Sequence, residues 1–64
     1  MVLKIRELRK ARNMTQFDLA QAANISQSFV TLIETGQRRP SVSVAKRIAS
    51  VLGFDWTEFF KEVA

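Results

Sequence analysis

Three times in this chain a hydroxyl residue opens a stretch that an Asn or Gly closes two to three helical turns later: Thr15 to Asn24, Ser26 to Gly36, and Ser41 to Gly53. Each opening side chain can accept from a free N–H at a helix start. Each closing residue tolerates the left-handed backbone that ends a helix. Thr15 is followed three positions later by Asp18, a capping-box spacing that also sets an acid at the positive helix end. This punctuation suits short helices joined by tight turns.

One segment resists that reading. Residues 26–40, SQSFVTLIETGQRRP, have a β-branched and aromatic middle, FVTLI, that looks locally like a strand. A strand needs a pairing partner, and no other segment alternates apolar and polar at period two. β-propensity is weak against context, and the Ser26 cap and Gly36 stop bracket a helical length. Advancing about 100° per residue, Val30 and Ile33 share an inner stripe, flanked by Phe29 and Glu34. Ser28, Thr31, Leu32 and Thr35 point outward, and Gln27 projects at the N-terminal end.

The other segments follow the same logic. Residues 2–12 carry Leu3, Ile5, Leu8 and Ala11 at helical spacings, with basic residues on the opposite face and Met14 as an anchor beyond Asn13. Leu19, Ala20 and Ala23 line the second helix, and Val44, Ala45, Ile48, Ala49 and Leu52 the fourth. A fifth helix is expected with Asp55 as N-cap and Glu58 completing a second capping box. Its apolar set is Trp56, Phe59, Phe60 and Val63, with Phe54 and Phe59 the first choices for burial. The expectation is one all-α domain of five helices over residues 1–64.

Composition narrows the chemistry. There is no Cys and no His, which removes disulfides, thiolate metal sites and the commonest general base. The six acids are scattered without a paired-carboxylate pocket. An enzyme is not expected, nor a cofactor, metal or small-molecule ligand. No apolar run approaches the roughly 20 residues of a membrane span, and the N-terminus lacks a signal-peptide core, so a cytoplasmic protein without a membrane partner is expected.

The net charge of +4 leans toward a polyanion, with solubility alone as the bland alternative. Its pattern is sharper than its sum. Lys4, Arg6, Arg9, Lys10 and Arg12 precede a gap from Asn13 to Gln37 that holds no Lys or Arg; Arg38 and Arg39 follow it. The outer face of the third helix is therefore small, uncharged and rich in hydrogen-bonding groups. Such a face suits close approach to a protein or a DNA groove. Gln can pair with adenine N6 and N7, Ser with several bases, and Leu or Phe with thymine methyls. Cations beside such a helix would hold phosphates and fix register.

The run IRELRKARNMTQFDLAQAANISQSFVTLIETGQRRPSVSVAKRIASVLGF resembles the phage-repressor and Cro family of helix-turn-helix regulators. The elements that carry the resemblance are Arg9, Thr15-Gln16, Leu19-Ala20, Ile25-Ser26, Ile33-Glu34 with Gly36, and Arg39-Pro40-Ser41. It implies a five-helix domain whose helix-turn-helix unit covers about 15–35, with the third helix in the major groove. The base contacts it implies are Gln27, Ser28, Phe29, Thr31 and Leu32, and the phosphate contacts Thr15, Gln16, Thr35, Arg38 and Arg39. Gln16 would also brace Gln27. Leu32 stands where the family often has a polar or basic reader, so a thymine methyl replaces a hydrogen bond there. Phe29 stands where a small residue is usual, and both methyl reading and core-edge packing remain open for it. Arg9 and Glu34 match a pair joining the first helix to the third, a structural role.

Trp56 and Phe60 either complete the core or, in so small a domain, leave surplus aromatic surface that invites an isologous dimer contact; related repressors dimerise in this region, so the resemblance points to the second. The expected protein is a homodimeric repressor or restriction-modification controller that binds a near-palindromic double-stranded operator. The alternative is an antitoxin or other protein-interaction module, in which the uncharged face or the aromatic end binds a protein partner.

Overall fold

The computed structural model describes residues 4–60. Helix α1 is Ile5–Ala11, α2 Gln16–Ala23, α3 Gln27–Glu34 and α4 Val42–Leu52, followed by a 3₁₀ helix, Trp56–Phe60. There is no strand among the described residues. Leu3 and Val63, both expected on apolar faces, lie outside them.

The caps form by direct hydrogen bonds. Asp18 N–H donates to Thr15 Oγ1 at 3.0 Å, and Thr15 N–H donates back to Asp18 Oδ2 at 2.9 Å. Hydrogen bonding to the carboxylate by Thr15, from its backbone N–H first and then from its side chain, holds the Asp18 carboxyl below its ordinary pKa. Ser26 Oγ accepts from Phe29 N–H at 3.0 Å, and Ser41 Oγ from Val44 N–H at 3.3 Å. The closing residues are left-handed: Asn13 and Asn24 at φ 57° and 58°, Gly36 and Gly53 at 80° and 78°. At the α2–α3 turn, Asn24 reverses the chain and Ile25 N–H returns to the Ala20 carbonyl at 2.9 Å. That bond fixes the angle at which α3 leaves α2.

The fifth helix differs from the α-helix expected. Glu58 N–H bonds the Asp55 carbonyl at 3.0 Å, an i→i+3 closure. The Asp55 carboxylate accepts from Thr57, at 3.0 Å from N–H and 2.8 Å from the hydroxyl. A carboxylate engaged two residues ahead tightens the turn into 3₁₀ geometry. The described chain thus has four α-helices and one 3₁₀ helix.

All five elements meet in one core of Ile5, Leu19, Ala20, Ala23, Val30, Ile33, Val44, Ala45, Ile48, Leu52 and Phe59. Leu19, Ile48 and Val30 are fully enclosed. The FVTLI segment is helical, because Val30 and Ile33 gain more from this core than a lone strand could. Phe54 is half-buried and meets Phe59 edge-on, with ring centroids 5.4 Å apart. Ala11 is exposed; the buried positions of α1 are Ile5 and, against the apolar pattern, Arg9.

Candidate nucleic-acid interface

Helix α3 turns Val30 and Ile33 inward and leaves Gln27, Ser28 and Thr31 exposed, with its C-cap Thr35 exposed beyond them. Phe29 is half-buried and packs on the core edge. Leu32 is also half-buried. The exposed groups are amide and hydroxyl, with no charge among them.

Behind this face runs a connected polar chain. Arg9 Nε donates to Glu34 Oε2 at 2.7 Å, with the two side chains 8% and 4% exposed. Arg9 Nη1 donates to the Met14 carbonyl at 2.7 Å, which ties the loop before α2 to α1. Burial alone would raise the Glu34 pKa; the bonds from Arg9 and Gln16, with the Arg9 and Arg6 charges, outweigh it and hold the carboxyl below its ordinary value. A carboxylate so enclosed needs such partners.

Gln16, at the first position of α2, joins this pair to the outer face. Its Nε2 donates to Glu34 Oε1 at 3.0 Å, and its Oε1 accepts from the Thr31 hydroxyl at 3.0 Å. The brace implied toward Gln27 therefore runs to Thr31 and Glu34. Thr31 lies within 3.3 Å of the Gln27 carbonyl. Thr35 donates to the Thr31 carbonyl at 2.9 Å and accepts from Gln37 Nε2 at 3.1 Å. Thr15 is engaged in its capping box.

The cations lie outside this face. Arg38 and Arg39 are exposed in the loop after α3, whose backbone is pinned by Gln37 and Arg38 N–H groups on the Leu32 carbonyl at 2.9 and 3.2 Å. The Arg39 guanidinium sits 5.8 Å from the Phe60 ring centroid, and Lys46 Nζ 5.2 Å from that of Trp56. Trp56 and Phe60 are half-buried and meet edge-on at 6.0 Å. These ring–cation contacts had no sequence signal, since each joins residues from different elements.

The helix-turn-helix family model matches residues 5–59. The chain belongs to this family. The helix-turn-helix chain is 46% identical over 59 residues to YqaF of Bacillus subtilis (strain 168), an uncharacterized HTH-type transcriptional regulator; the match covers 92% of this chain and 78% of that protein. It is 40% identical over 50 residues to the immunity repressor protein of Bacillus phage phi105, covering 78% of this chain and 35% of the repressor. Among solved structures, the restriction-modification controller protein C.AhdI from Aeromonas hydrophila superposes with a TM-score of 0.79 at 33% identity, covering 89% of this chain and 86% of that one. A SinR protein/SinI protein complex superposes at 0.80 with 24% identity, covering 91% of this chain and 57% of that one, a likeness of fold alone. No helix among the described residues is long and apolar enough to cross a membrane.

Proposed function

We propose that this helix-turn-helix domain is a sequence-specific regulator of transcription that reads double-stranded DNA by placing α3 in the major groove. The observation that carries this reading is the exposed, uncharged face of Gln27, Ser28, Thr31 and Thr35, with Arg38 and Arg39 exposed at its end. Gln27 and Ser28 lie in the first turn of α3, the end from which side chains reach base edges. Leu32, and Phe29 beside its packing on the core edge, keep enough exposure to touch thymine methyls. Phosphates are held by the N-terminus of α2, where Thr15 and Gln16 sit, by Thr35, and by Arg38 and Arg39. Regulation is by occupancy of an operator, as the names of a phage repressor and a restriction-modification controller among its relatives suggest.

The working form is a homodimer on a near-palindromic site. The half-buried Trp56 and Phe60 supply the self-complementary surface, with the two α3 helices about one DNA turn apart. Selection of binding sites from random duplexes tests both points. A pair of inverted half-sites supports the reading; no enriched sequence sinks it. Gln27→Ala with Ser28→Ala, in a protein that still melts normally, abolishes selection if α3 reads bases. Retained selection by this variant would move recognition elsewhere and favour a protein partner for the α3 face.

A further inference from the structure

The polar chain from Arg9 to Thr31 fixes the direction of each hydrogen bond along it. Arg9 can only donate. The Glu34 carboxylate can only accept, Oε2 from Arg9 Nε at 2.7 Å and Oε1 from Gln16 Nε2 at 3.0 Å. A reversed Gln16 amide would set its carbonyl oxygen against that carboxylate, lone pair against lone pair. Its nitrogen therefore faces Glu34, and its Oε1 faces Thr31. Oε1 can only accept, so the Thr31 hydroxyl, 3.0 Å away, donates. The Gln27 carbonyl, within 3.3 Å of the same hydroxyl, is likewise an acceptor. A hydroxyl has one proton, and both groups that can take it belong to the protein.

We propose that Thr31 is a specificity-determining residue that faces DNA as an acceptor only, its polarity set by the relay Arg9–Glu34–Gln16. The inference rests on α3 entering the major groove. Thr31 is exposed and lies one turn after Gln27 on the same face. A free Thr hydroxyl can pair with donors or acceptors and discriminates little. With its proton held inward, it meets adenine N6 or cytosine N4 favourably and meets guanine O6 or thymine O4 oxygen to oxygen. Thr31 thus selects an exocyclic amine over an oxo group at one place in the groove. The lowered Glu34 pKa keeps the carboxylate in its acceptor form at neutral pH.

The test compares sites selected by the wild-type protein, Thr31→Val, Thr31→Ser and Gln16→Leu, each first checked by thermal melting. Thr31→Val relaxes preference at one base pair per half-site, where the wild type selects adenine or cytosine. Titrations then use the amino and oxo forms of that pair: adenine·thymine against hypoxanthine·cytosine, or cytosine·guanine against uracil·adenine. The wild type and Thr31→Ser favour the amino form about fivefold, the scale of one neutral hydrogen bond, and Thr31→Val does not. Gln16→Leu discriminates less than the wild type. Because the readout is a ratio between two DNAs, a uniform loss of phosphate binding in Gln16→Leu cancels. An oxo base at the Thr31-dependent position, or no change of preference in Thr31→Val, would overturn the acceptor assignment. Undiminished discrimination in Gln16→Leu would overturn the relay. Failure of the wild type to select any sequence overturns the groove reading itself, an outcome distinct from the others.

Discussion

Arg9 and Glu34, 25 residues apart in sequence, share a 2.7 Å ion pair that joins α1 to α3 beneath the exposed face. The pair lies behind the exposed face and holds Gln16 on its carboxylate. Glu34 passes the constraint to Gln16 and Gln16 passes it to Thr31. Removing one partner strands the other charge, which for buried pairs costs about 3–5 kcal/mol. Arg9→Ala and Glu34→Ala are each expected to fall in that range by urea unfolding, a large share of a small domain's stability. Arg9→Met with Glu34→Leu is expected to cost well below the sum of the two single changes. Additive losses would mean that the two charges are not coupled.

Acid should weaken the fold through the same carboxylate. The folded pKa of Glu34 lies below its ordinary value of 4.5, so the unfolded chain binds more protons in that range. Its contribution is full above the ordinary value and is lost as pH falls through it toward the folded value. Urea midpoints between pH 7 and pH 3 should therefore drop for the wild type. Glu34→Gln, less stable at neutral pH, should show a shallower drop.

Thr15 is exposed, so its replacement isolates the cap from packing. Thr15→Ala removes the acceptor for Asp18 N–H and is expected to cost about 1 kcal/mol. For a domain of this size, that lowers the melting temperature by roughly 4–8 °C. Thr15→Ser should recover most of the loss in the same calorimetric scan.

Gly36 and Gly53 share a left-handed backbone and differ in surroundings. A Cβ on Gly36 meets open space, whereas one on Gly53 runs into Arg12 Nη2. Arg12 Nε donates to the Leu52 carbonyl at 3.0 Å, satisfying the C-terminus of α4. Gly36→Ala is expected to cost about 1–2 kcal/mol from its backbone alone. Gly53→Ala is expected to cost about 1 kcal/mol more, from the displaced Arg12 bond. Repeating both in an Arg12→Ala background should remove the difference, as measured by denaturant midpoints.

Under the homodimer reading, Trp56→Ala should lower association in sedimentation while leaving Phe59 in the core. Operator binding would then weaken and lose its dependence on half-site spacing. A monomeric wild type at the concentrations that bind DNA would remove Trp56 from the interface.

The caps and stops were legible because they are local. Thr15, Ser26 and Ser41 each reach the N–H three residues on, and Asn24, Gly36 and Gly53 need only their own φ. The helical state of FVTLI was legible from its brackets, not from its propensity. The 3₁₀ form of residues 56–60 was not, because Asp55 can serve residue 57 or 58 equally well on paper, whereas in the structure both the N–H and the hydroxyl of Thr57 donate to its carboxylate. Burial of Arg9 also defied periodicity, which favoured Ala11; only family resemblance pointed to the pair. The Gln16–Thr31 bond depends on two rotamers on separate helices, and no spacing rule encodes it. The ring contacts of Arg39 and Lys46 were hidden for the same reason.

The absence of cations from α3 has a bearing on how such a domain can diverge. If α3 reads the groove as proposed, grip on the sugar-phosphate rail and choice of sequence would reside on different stretches of chain. Changes at Gln27, Ser28 or Thr31 would then retarget the molecule without loosening its hold, since none of them carries charge and none lies in the core. The frame of Arg9, Glu34 and Gln16 sets limits on that freedom: a newcomer at position 31 inherits a neighbour that accepts and does not give. Divergence of operators would accordingly run fast at the first turn of α3 and slowly one turn later.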